Sequence, residues 1–103
     1  VDAGATVGLA TDANPGTSPV LSMAEAIAIG CALYRLTPHE ALTAATLNAA
    51  AALGLARDTG SIEVGKRADI VVLDGDGFRD VPYRMGHAPV LRTIAAGREI
   101  YRR

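Results

Sequence analysis

The chain has 103 residues, half of them hydrophobic but only 4% aromatic, with a net charge of −1 and a single cysteine. The apolar fraction excludes a disordered tail, but much of it is alanine, which leaves little core volume per residue. With no basic run there is no electrostatic footprint for nucleic acid or an anionic membrane, and no stretch approaches the ~20 apolar residues of a bilayer span.

A lone cysteine forms no internal disulfide and suits a reducing cytoplasm. Cys31 lies on an apolar helical pattern with no base nearby in sequence, so it reads as a small core residue rather than a nucleophile. The sequence opens on Val1 and reaches an apolar run almost at once. That start reads as a cut through a longer protein.

In chain order, Val7-Gly8-Leu9-Ala10 is short, apolar and bounded by turn residues, and predicts a strand buried on both faces. Residues 12–21 read as a loop. Ser22 and Glu25 form a capping-box pattern that opens a helix through "MAEAIAIGCALYRL", apolar nearly all round and therefore covered on more than one side. Thr37, Pro38 and Glu40 form a second box, and its helix is expected to run unbroken to Gly54, a left-handed terminator. Leu42, Ala45, Thr46, Ala49 and Leu53 fall on one stripe at helical spacing.

The texture changes near residues 56–60. Gly65-Lys66 and Asp74-Gly75 bracket the β-branched run Ile70–Leu73, and "VLRTIAAGREIYRR" reads as two short strands about Ala96-Gly97. Between them, residues 74–89 are expected to be irregular. The basic residues Arg98, Arg102 and Arg103 are expected on a frayed terminus. The division is thus an α/β part over 1–58 and a β-rich part over 59–103.

Asp12 stands just past the end of the first apolar run, where α/β proteins collect functional groups. A carboxylate there either ligates a cation and takes a proton from water, or simply forms an Asx-turn. Asn14, Gly16 and Thr17 offer an amide, a close backbone approach and a hydroxyl, suited to orienting a polar substrate or to building a plain turn. His39, in a helical first turn, and His87, in a Gly/Pro-rich loop, belong to no metal-ligand spacing. Glu63, Lys66, Asp69, Asp74 and Asp76 read as turn formers and solvated charge, and Tyr83 and Arg84 as loop residues.

Taken together, "ATDANPGTSP", "SMAEAI", "LTPHEALTAATLNAAAALGL" and "GSIEVGKRADIVVLD" resemble the C-terminal part of the metal-dependent amidohydrolase superfamily. The resemblance covers roughly residues 7 to 74. It implies an α/β fold: the C-terminal end of a (β/α)8 barrel over 1–58, with part of a small β-sandwich domain over 59–103. It also implies that Asp12 is the last ligand of one Zn or Fe ion and the acceptor of a proton from the attacking water. Asn14, Gly16 and Thr17 match substrate-contacting positions.

The loop Asp12–Ser18 is similar to that of members that open a cyclic amide, the imidazolone ring of 4-imidazolone-5-propanoate. The implied partners are a small-molecule substrate and a second copy of the longer enzyme, as a homodimer. Ala13 and the segment Gly86–Val90 depart from the superfamily's usual pattern. Two other readings are a deaminase or another cyclic amidase of the same superfamily, and a non-catalytic α+β module in which Asp12 only caps a turn.

Overall fold

A computed structural model describes residues 1–87 and 89–103; Ala88, within the departing Gly86–Val90 segment, lies outside them. The element order is α1 (Met23–Tyr34), α2 (Pro38–Ala45), α3 (Leu47–Ala52), β1 (Ile70–Leu73), α4 (Asp80–Tyr83), β2 (Val90–Ala95) and β3 (Arg98–Arg102). Among the described residues no helix is long and apolar enough to cross a membrane.

Helix α1 starts at the expected cap: the Ser22 hydroxyl accepts from the Ala24 amide at 3.2 Å. The second box is complete. Thr37 Oγ1 accepts from the Glu40 amide at 3.1 Å while Glu40 Oε2 accepts from the Thr37 amide at 2.9 Å, with Pro38 in the first turn. The expected single helix to Gly54 is instead two. Thr46 turns back, its hydroxyl donating to the Leu42 carbonyl at 2.7 Å, and its backbone leaves the helical region at φ −119°, ψ −87°. A β-branched hydroxyl that bonds its own preceding turn competes with helix continuation.

The break shifts the helical phase, so the expected stripe is corrected: the buried positions are Ala41, Ala44 and Ala50, while Thr46 and Leu53 are exposed. Gly54 closes α3 as expected, at φ +75°, with the Leu55 amide donating to the Ala50 carbonyl and the Gly54 amide to that of Ala51. These are the paired bonds of a Schellman end.

The three strands form an antiparallel sheet in the order β1-β2-β3. Ala96 and Gly97 both have positive φ, 50° and 79°, which a tight hairpin between right-twisted strands requires. The carboxy-terminal residues are not frayed. Arg102 Nε lies 2.7 Å from Glu99, Arg92 reaches the same carboxylate from the neighbouring strand, and the Arg103 amide donates to the Leu91 carbonyl at 2.8 Å. Arg92 and Arg102 are directly opposed in register, so Glu99 separates two like charges.

Asp69 is more than a solvated turn former. Its carboxylate accepts from the Ala96 amide at 2.9 Å, from Arg67 Nε at 2.6 Å and from the Thr59 hydroxyl at 3.0 Å, tying the hairpin turn to the loop before β1. The Ala96 amide, followed by the Arg67 guanidinium, holds this carboxyl below its ordinary value. A depressed folded-state pKa contributes stability above the unfolded value that is lost as pH falls through the folded one. We therefore expect the denaturant midpoint to fall with acidification below about pH 4, and Asp69→Asn to flatten that slope while lowering the midpoint at neutral pH.

The core is small, as the alanine content predicts. Its buried apolar residues are Ala26, Ile27, Ala28, Ala41, Ala44, Ala50 and Val81. Val81 comes from the short helix α4, in the stretch expected to be irregular, and packs with Ile27 and Ala41. Leu9, Leu36 and Leu73 border the same cluster, and so does Cys31, half-buried as expected of a core residue. Burial, with the nearby Glu40 charge, pushes the Cys31 thiol up, away from the reactive thiolate. Leu21, Leu33, Tyr34, Leu53, Ile62, Val64 and Tyr83 are exposed.

Candidate functional site

Residues 7–10 do not form the expected strand. A strand needs a neighbouring strand to complete its ladder, and here helices take that place. The Leu9 amide donates to the Ala44 carbonyl at 2.9 Å, and Asn48 Nδ2 donates to the Val7 carbonyl at 2.9 Å. The Leu9 side chain lies so close to Gly30 that a Cβ there would stand 3.0 Å from Leu9 Cδ1. Gly30 therefore lets the run leading to Asp12 seat against α1. Asn48 was not singled out from the sequence. Its signal is that of one amide in the otherwise alanine-rich stretch "TLNAAAAL".

Asp12 follows directly, exposed, with its backbone at φ +49°. That left-handed conformation is uncommon for residues other than glycine and is best tolerated by Asn and Asp. Among the described residues its carboxylate takes part in no hydrogen bond or ion pair, and it lies open to solvent. The carboxylate does not form an Asx-turn.

Asn14 is the loop's hub. Its side-chain oxygen accepts from the Gly16 amide at 2.9 Å and the Thr17 amide at 2.8 Å. Its side-chain nitrogen donates to the Asp12 carbonyl at 2.7 Å and to Thr17 Oγ1 at 3.2 Å. The Asn14 amide donates to the Ser18 carbonyl at 3.0 Å, and the Ser18 hydroxyl donates to the Thr11 carbonyl at 2.8 Å. The structure thus brings Asn14, Gly16 and Thr17 together and connects them to the backbone of Asp12. At Gly16 the backbone φ is not positive, and a Cβ there would lie 3.2 Å from Asn14 Oδ1. Glycine here relieves a close approach to the Asn14 side chain rather than serving a left-handed backbone.

The histidines stand apart from this loop. His39 is exposed and meets the Phe78 ring edge-on at 6.2 Å, and His87 is exposed. Among the described residues no group of three His, Cys, Asp or Glu side chains gathers as a metal site. The loop offers the Asp12 carboxylate, which bonds to no described residue and fits a single ligand position. A hollow among Asp74, Asp76, Asp80, Arg84 and His87 does not touch the loop. Its central carboxylate, Asp80, is occupied with the Asp76 amide at 2.9 Å and serves the turn there.

Known proteins share this sequence and shape. The chain is 46% identical to the imidazolonepropionase of Agrobacterium fabrum, covering 96% of this chain and 24% of that relative. It is 50% identical to that of Bacteroides fragilis, over 94% of this chain and 23% of the relative. The chain therefore spans about a quarter of the length of the curated relatives it matches. Among solved structures, it is similar to an amidohydrolase from Thermotoga maritima MSB8, at TM-score 0.64 and 34% identity, covering 79% of this chain and 19% of that one. It is also similar to E. coli guanine deaminase, at TM-score 0.74 and 26% identity, covering 95% and 27%. The model of the amidohydrolase family matches residues 1–100. The chain belongs to the amidohydrolase family.

Proposed function

We propose that the chain is the C-terminal portion of an imidazolonepropionase, which hydrolyses the cyclic amide of 4-imidazolone-5-propanoate to N-formimino-L-glutamate in the cytoplasm. The observation that carries this reading is the 46% and 50% identity to two imidazolonepropionases over nearly the whole chain. In this reading residues 1–58 supply the last strand and C-terminal helices of a (β/α)8 barrel, and residues 59–103 a segment of a β-sandwich. The run 7–10 gains its strand neighbours from the rest of the barrel. The exposed Leu21, Leu33, Leu53, Ile62 and Val64 gain their cover from the rest of a homodimeric enzyme.

Asp12 would hold the metal, Zn or Fe; its position at the end of the run 7–10 and its exposed carboxylate, bonded to nothing within the loop, support this. A bound divalent cation supplies Lewis acidity, which makes water a competent nucleophile near neutral pH. Asp12 then holds and moves a proton: its carboxylate accepts one from the attacking water and returns it to the departing ring nitrogen, as the amide C–N bond breaks. Asn14, Gly16 and Thr17 form the substrate-facing edge beside it and orient the ring.

The similarity to guanine deaminase favours a second reading, a deaminase of the same family. A substrate panel on the longer protein separates the two. Ring opening of imidazolone propanoate without ammonia release is the expected result. Ammonia release from a purine or pyrimidine, with no imidazolone opening, would replace the first reading by the second.

A further inference from the structure

We infer that the break between α2 and α3 fixes where Asp12 stands, with Thr46 and Asn48 as its positioning residues. The inference rests on the reading of Asp12 as a metal-holding, proton-accepting carboxylate. In an unbroken helix each carbonyl accepts from the amide four residues on. The Leu42 carbonyl would then meet the Thr46 amide, and the Ala44 carbonyl the Asn48 amide. At Thr46 the hydroxyl takes the first of these places, donating to the Leu42 carbonyl at 2.7 Å, while the amide turns to the Thr43 carbonyl at 3.3 Å. The Ala44 carbonyl is thereby released, and it accepts from the Leu9 amide at 2.9 Å.

The same turn brings α3 against the start of the run. Asn48 Nδ2 donates to the Val7 carbonyl at 2.9 Å. Gly8 is the independent witness, since a Cβ there would lie 3.6 Å from Ala49 Cα and 3.7 Å from its amide nitrogen. Val7, Gly8 and Leu9 are thus held in succession by a side chain, a close contact and a backbone bond. Ala44 is buried and Asn48 half-buried, so these anchors belong to the core rather than to the surface. Asp12 stands three residues beyond Leu9, at most about 10 Å of extended chain. A slip of one residue at the anchors would carry its carboxylate about 3 Å along the run. A metal ligand has to lie within about 0.2 Å of its ideal distance.

Three substitutions in the longer protein test the assignment. Thr46→Ala removes the hydroxyl from an exposed position and supplies a better helix former. The amide at 46 can then reclaim the Leu42 carbonyl, and the Asn48 amide the Ala44 carbonyl. Thr46→Ser keeps the hydroxyl, and Asn48→Leu removes the donor to Val7 at similar side-chain size. The readouts are zinc affinity by chelator competition, kcat and KM for imidazolone propanoate measured separately, and the thermal midpoint. Thr46→Ala is expected to lower zinc affinity and kcat by about 10–100-fold, the scale of losing a group that orients a ligand. KM should be nearly unchanged, and the thermal midpoint equal to the parent's or higher. Thr46→Ser is expected to rescue both losses, and Asn48→Leu to move zinc affinity and kcat in the same direction as Thr46→Ala.

Parent values of zinc affinity and kcat in Thr46→Ala and Asn48→Leu would overturn the inference and leave the break a matter of packing. So would a raised KM with the other two quantities unaltered, or a loss that comes only with a lowered thermal midpoint and that Thr46→Ser shares. Should Asn48→Leu fail to fold, the two substitutions at Thr46 decide alone. Asp12→Asn in the same assays keeps the two readings apart. Unaltered zinc affinity there defeats the assignment of Asp12 itself, whereas a loss at Asp12 with parent values at Thr46 and Asn48 defeats only the role of the break.

Discussion

Asp12→Asn in the longer enzyme is expected to lower kcat by about 10²–10⁴-fold, the range for losing a positioned proton acceptor, and to reduce bound metal. The substitution removes charge and basicity while keeping shape. It is also gentle to the backbone, because asparagine tolerates the left-handed conformation that Asp12 adopts at φ +49°. The carboxylate is exposed and makes no bond within the loop, so its loss strands no buried partner. Thermal stability should stay within about 0.5 kcal/mol of the parent, as for surface changes away from caps and cores. Asp12→Ala should show the same catalytic loss with an added cost for holding alanine left-handed. Normal turnover and metal content in Asp12→Asn would refute the assignment.

The largest stability effect is expected at Gly60. Its φ is +95°, and an added Cβ would stand 2.8 Å from Ala50 Cβ and 3.1 Å from both Leu47 Cα and the Thr46 carbonyl oxygen. Two of those neighbours are backbone and the third is a rigid methyl, so none can swing away. Left-handed strain costs about 1–2 kcal/mol and overpacking about 1–3 kcal/mol. Gly60→Ala should therefore destabilise by about 2–5 kcal/mol, read as a shift in denaturant midpoint. Gly54→Ala is the control: its φ is also positive, at +75°, but nothing lies within 4 Å of the added carbon. It should cost only the backbone strain. Equal effects at the two glycines would show that the close approach at Gly60 is relieved by small movements.

What was legible in the sequence was what neighbours in the chain decide. The Thr37–Glu40 box, the Gly54 terminator, the run Ile70–Leu73 and the hairpin at Ala96-Gly97 each depend on a few adjacent residues, and each formed. Elements that depend on distant partners were less legible. Ser22 caps α1, yet the reciprocal bond from Glu25 is not among those formed. The break at Thr46 hinges on a hydroxyl choosing the carbonyl four residues back, which a count of apolar spacings does not register. Helix α4 is only one turn long and is held by Val81 against Ile27, a contact between segments far apart in sequence. The run 7–10 has strand composition but no strand beside it.

The site shows the same division. Asp12, Asn14, Gly16 and Thr17 were recognisable as residue types suited to a site. Their division of labour was not, because it lies in which atom of Asn14 meets which amide. Asn48 was invisible as an anchor because nothing local requires an amide there.

The seat of Val81 on Ile27 and Ala41 also governs when the chain can finish folding as it is made. Helix α1 emerges from the ribosome long before α4. At about 5–20 residues per second, the face of Ile27 waits several seconds for its cover. Until then only α2, through Ala41, shares that face, and the part that α4 will cover stays open to solvent and to chaperones.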